Sequence, residues 1–108
     1  MGSILNTIKT MIGIQPDYKQ FDTTIIGHIN SVLMTLRQIG VGPENPVSIT
    51  SDLDTWNNVL GDIANIEAVK TYMALKVQLY FDPPSGAVLE AKNRQVAELE
   101  WRLNVQVD

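Results

Sequence analysis

His28 is the one imidazole in 108 residues, and acid–base or nucleophilic chemistry at neutral pH would most readily be built around it. Such chemistry needs a carboxylate beside the ring to orient it. The helical neighbours of His28 at three and four residues are Thr24, Ile25, Ser31 and Val32, and none is acidic. His28 therefore reads as a surface or interface histidine. Asp52, Asp54 and Asp62 stand where helices begin, so they read as partners of helix dipoles rather than as an acid–base pair or a metal cluster. The chain has no cysteine, which removes thiolate metal sites, disulfides and a thiol nucleophile. It also lacks a glycine-rich phosphate loop, a His–carboxylate pair at metal-ligand spacing and a serine elbow. The expectation is a protein that is not an enzyme, with no catalytic, cofactor-binding or metal site.

Charge narrows the partners. Eight Lys and Arg against 12 Asp and Glu give a net charge of −4, and the basic residues are scattered rather than gathered in an arm. Tight wrapping on nucleic acid, which rests on neutralised phosphates, is not expected. The start of the chain lacks a basic segment leading into an apolar run and a cleavage site, and Lys70 and Lys76 interrupt the most apolar region. Neither secretion by a signal peptide nor a membrane span is expected.

Hydrophobic spacing then supplies the elements. Ile4, Leu5, Ile8, Met11 and Ile12 recur at helical intervals up to Gly13. After a connector at Pro16–Asp17, Asp22 reads as an N-cap, with Phe21 and Ile26 as a hydrophobic staple. The second helix carries an apolar stripe of Ile25, Ile26, Ile29, Val32, Leu33, Leu36 and Ile39, and ends at Gly40. Its opposite face, Thr24, His28, Ser31, Thr35 and Gln38, is polar but almost uncharged, which on composition alone suits a surface covered by a neighbour and a plain solvated face about equally.

Residues 41–50 hold two prolines and a glycine and read as an irregular loop, with Val47–Ile49 too short for a convincing strand. So long a connection in so small a domain is expected to make a quaternary contact or face a channel. Ser51 and Asp54 resemble a capping box for a short helix presenting Leu53, Trp56 and Leu60 on one side, closed by Gly61. Asp62 is then placed to cap a central helix reaching Phe81, stopped by Asp82-Pro83-Pro84. Within it Tyr72, Met73, Leu75, Tyr80 and Phe81 are expected in the core.

Ser85 would cap a last helix running to about Leu103. Leu89, Val96, Leu99 and Leu103 turn inward there, and Glu90–Arg94 and Glu98–Arg102 are spaced as ion pairs. Trp101 lies off that stripe, which invites burial by a partner. The tail Asn104–Asp108 alternates Val105 and Val107 with polar residues, and is expected to be extended or disordered alone and to order on a partner. The fold class is thus all-α: one domain over residues 1–108, a small bundle of four to five helices with one irregular loop and a short C-terminal tail.

Taken in order, Phe21-Asp22-Thr23-Thr24-Ile25-Ile26, His28-Ile29-Asn30-Ser31, Gly40-Val41-Gly42-Pro43, Thr55-Trp56, Val69-Lys70-Thr71-Tyr72, Leu75-Lys76-Val77, Phe81-Asp82-Pro83-Pro84 and Leu99-Glu100-Trp101-Arg102-Leu103-Asn104-Val105 resemble the head–tail connector (adaptor) family of tailed bacteriophages. The likeness covers nearly the whole chain. It implies a structural virion protein, assembled in the host cytoplasm, that forms a ring with itself beneath the portal protein. That ring would extend the DNA channel, let genomic DNA pass without sequence-specific binding, and dock stopper or tail-completion proteins. Thr24, His28, Ser31, Thr35, Trp101, Val105 and Val107 are then the candidate subunit or portal interface. The alternative is a small helical DNA-binding or regulatory protein, since the turn at Gly61-Asp62 could join two helices of a helix-turn-helix. That reading lacks a basic recognition face.

Overall fold

A computed structural model describes the backbone of residues 2–107 and the side chains as far as Val105. Five helices follow one another: α1 (Ile4–Met11), α2 (Asp22–Gln38), α3 (Trp56–Leu60), α4 (Ile66–Phe81) and α5 (Gly86–Val107). No strand occurs among the described residues. A single antiparallel bridge joins Ser3 to Thr55 and lays the start of α1 against the start of α3.

Helix ends follow local chemistry. The Ser3 hydroxyl accepts the Asn6 amide at 3.2 Å and caps α1. At its other end the Ile14 and Gly13 amides close on the carbonyls of Lys9 and Thr10 at 2.8 and 3.1 Å, a Schellman motif that needs the positive φ of Gly13, +90°. The end of α2 repeats this with Val41 on Leu36, Gly40 on Arg37 and Gly40 at +90°. Val41 is buried there, completing the motif with an apolar contact.

Other starts depart from expectation. Asp22 is the first residue of α2 rather than its cap, because its carboxylate is taken by Lys9. Asp54 folds back to accept the amides of Thr50 and Ser51, so Thr55 becomes the cap of α3. Leu53 consequently lies outside that helix, 82% exposed. Asp62 is exposed and caps nothing, since residues 61–65 are spent on a turn that tucks the half-buried Ile63 against the core.

The core sits around α4, which packs on α1, α2 and α5. From α2 come Ile25, Ile29, Val32, Leu33 and Leu36; from α4, Val69, Tyr72, Met73, Ala74 and Val77. Leu75 and Phe81 are only half-buried and Tyr80 is exposed, because the core-facing arc of α4 is narrower than its apolar sequence. Ile29 is wholly buried. Its truncation to Ala should cost about 2–5 kcal/mol in urea unfolding, while Leu75→Ala should cost less. Equal costs would contradict this packing.

The largest departure is at the C-terminus. Residues 104–107 are not extended but continue α5, since nothing after Gly86 breaks the helix. Leu103 is buried, and the Asn104 amide group donates to the Ile39 carbonyl at 3.1 Å, holding the end of α5 to the end of α2. The body is a flat slab, 38 × 36 × 19 Å.

Candidate functional site

Two exposed surfaces contain the residues singled out in the sequence. Along α2, Thr24, His28, Ser31 and Thr35 form one stripe; Thr24 and Ser31 are exposed, and His28 and Thr35 half-buried. The Ser31 and Thr35 hydroxyls donate to the carbonyls of Gly27 and Ser31, at 3.2 and 3.3 Å, so the stripe presents little unsatisfied polarity of its own. Among the described residues His28 has no carboxylate partner. Its ring lies 5.6 Å from that of Tyr80, tilted by 48°, and the Lys76 ammonium stands 5.2 Å from the other ring of this trio, Tyr80. An imidazole on a phenol ring is a packing contact rather than a catalytic one.

The second surface is the outer side of α5. Trp101 is 67% exposed and Val105, one turn on, 48%. Helical continuity brings these two onto one face, which an extended tail would not have done. The Val107 side chain lies outside the described residues. Beside Trp101, Glu98 pairs with Arg102, whereas Glu90 and Arg94 do not meet. The indole thus stands clear of the core on a helix whose other side is packed.

What holds α5 in place is a polar staple. The buried Tyr72 hydroxyl donates to the Glu100 carboxylate at 2.6 Å, and Lys76 approaches the same oxygen at 3.9 Å. Burial, reinforced by that carboxylate, pushes the Tyr72 phenol well above the ordinary tyrosine range. A raised folded-state value means stability that is full below the unfolded value of about 10 and is lost as pH rises through the folded one. Tyr72→Phe should cost about 1–2 kcal/mol at neutral pH. It should also abolish the steepest part of the fall in melting temperature above about pH 10. An unchanged alkaline profile would contradict the staple.

Asn30 and Arg37 give no clear signal in the sequence, whereas Phe21 and Asp54 read there as a staple residue and half of a capping box. Asn30 holds the loop by a double contact, its side chain donating to the Ile49 carbonyl at 3.0 Å and accepting the Ile49 amide at 2.7 Å. Arg37 Nε donates to the Glu44 carbonyl at 2.6 Å. Phe21 sits edge-on to Phe81 at 5.1 Å and tilted against Tyr18 at 5.7 Å, an aromatic group at the α1–α2 connector. Backbone donation from Thr50 and then Ser51 keeps the Asp54 carboxyl below the usual carboxylate range, so it ties the loop rather than exchanging protons. Among the described residues no three His, Asp or Glu side chains gather as metal ligands, and no helix is long and apolar enough to cross a membrane.

The model of the phage connector protein family matches residues 4–108. The chain belongs to the phage connector family. It has the structural connector role of that family in a bacteriophage, and its all-helical fold agrees with it. No curated protein and no solved structure gives a significant match.

Proposed function

We propose that this connector closes into a ring beneath the portal once the genome is packaged, extends the DNA channel and offers a platform to stopper or tail-completion proteins. The match to the connector family over residues 4–108 is the observation that carries this reading. The molecular surface supports it. The α2 stripe of Thr24, His28, Ser31 and Thr35 and the α5 face of Trp101 and Val105, with Val107 on the helix beyond, flank α4 on different helices. Contacts between such unlike surfaces are heterologous, and they propagate around an axis until they close. A net charge of −4 suits a wall past which DNA slides without being held. The protein works without catalysis or cofactor, is assembled in the host cytoplasm and resides at the head–tail junction.

Co-sedimentation with portal-bearing, tail-less heads tests the proposal. The chain should pellet with heads that carry a portal and remain in solution with portal-free shells. Binding to neither would overturn it. A gel shift with sequence-selective retention and a steep salt slope would instead favour a DNA-binding regulator.

A further inference from the structure

Between α2 and the loop that follows it lies a groove of about 360 Å³, walled by Asn30, Leu33, Met34 and Arg37 on one side and by Pro46, Val47 and Ser48 on the other. Met34 is 56% exposed there, the most open of the large apolar side chains of α2. Arg37 is the one charged residue of the lining. Its Nε is fixed on the Glu44 carbonyl, which holds the guanidinium in place while its remaining N–H groups have no partner among the described residues.

The loop wall has the character of a strand without a ladder. Burial alternates from half-buried Val47 to exposed Ser48, buried Ile49 and exposed Thr50, the period of extended backbone. Ile49 is satisfied by Asn30, and among the described residues the peptide groups of Val47 and Ser48 make no hydrogen bond; in extended backbone Val47 shares the edge of Ile49, towards α2, and Ser48 faces the opposite one. On the α2 side the wall therefore offers the N–H and C=O of Val47, beside an apolar floor and a pre-set cation.

We propose that this groove binds an extended acidic peptide segment of another protein, its main chain paired with the N–H and C=O of Val47. An apolar side chain of that segment lies over Met34. A carboxylate two residues along, about 7 Å away on the same face of a strand, reaches Arg37. Main-chain bonds to the edge supply the register and the Arg37 pair selects acidic sequences. The site does not depend on ring closure, so it stands or falls separately from the proposed assembly.

The test uses the full chain, isotope-labelled for NMR, titrated with the blocked peptide acetyl-Thr-Val-Thr-Glu-Thr-Val-amide and with its Glu→Gln counterpart. Saturable shifts are expected at the amides of Val47 and its chain neighbours, largest at Val47, and at the Met34 methyl. Binding should weaken about tenfold for the Gln peptide and for Arg37→Gln, as loss of a charge-assisted hydrogen bond requires. Val47→Pro, which removes the donor on the groove side, should weaken both peptides alike, with thermal melts confirming that each variant is folded. No saturable shift at millimolar peptide, or shifts indifferent to Arg37→Gln, would overturn the proposal. So would movement of the same amides with protein concentration alone, since the occupant would then be a second copy.

Discussion

Replacing Lys9 with methionine should destabilise the chain by about 3–5 kcal/mol, a large share of the stability of a domain this size. Lys9 is wholly buried, yet its ammonium meets three oxygens: the Asp22 carboxylate at 2.7 Å and the carbonyls of Tyr18 and Pro16 at 2.7 and 3.0 Å. One side chain thus ties α1 to the first turn of α2 and pins the connector between them. Methionine fills the space but leaves a mostly buried carboxylate and two carbonyls without a donor. Adding Asp22→Asn should return part of the loss, because the orphaned charge is gone. Urea unfolding of the two single variants and the double variant measures both effects. A cost below about 1 kcal/mol for Lys9→Met would place the ammonium in water and contradict the buried tie.

Helix faces were legible because burial imposes a 3.6-residue period: the stripe read on α2 is the one that meets α4, and Gly13 and Gly40 stop their helices in the required positive-φ conformation. Lys9 was harder to read. It sits one turn after Leu5 inside an apolar arc, where a lone charge signals a buried partner, but the partner is 13 residues away and only folding brings it near. The same tie removed Asp22 from its capping role. At the C-terminus, Val105 and Val107 alternate like a strand, while the Asn104 contact with Ile39 and the uninterrupted helix decide otherwise. The candidate surfaces followed the same division. Uncharged spacing on α2 and the off-stripe Trp101 were visible in sequence, whereas the Asn30 clamp and the Arg37 position depend on where residues 44–49 return.

Trp101→Glu should leave the monomer intact and lower attachment to portal-bearing heads by more than about tenfold, since truncating a buried interface tryptophan commonly costs 2 kcal/mol or more. The indole is 67% exposed, so folding does not rest on it, and a carboxylate there would have to be buried unpaired in any contact that covers the face. Val105→Glu should act in the same direction one turn away. Thermal melts measure the first claim and quantitative sedimentation with heads the second. Undiminished attachment would free the α5 face from any role in docking. A collapse of monomer stability would make Trp101 part of the core.

Electron cryomicroscopy of the intact head–tail junction tests the assembly most directly. The expected result is a closed ring of this chain immediately beneath the portal, surrounding the DNA channel, with the α2 stripe of each copy facing the α5 surface around Trp101 of the next. A junction without this chain, or with copies that are isolated rather than joined in a ring, would contradict it.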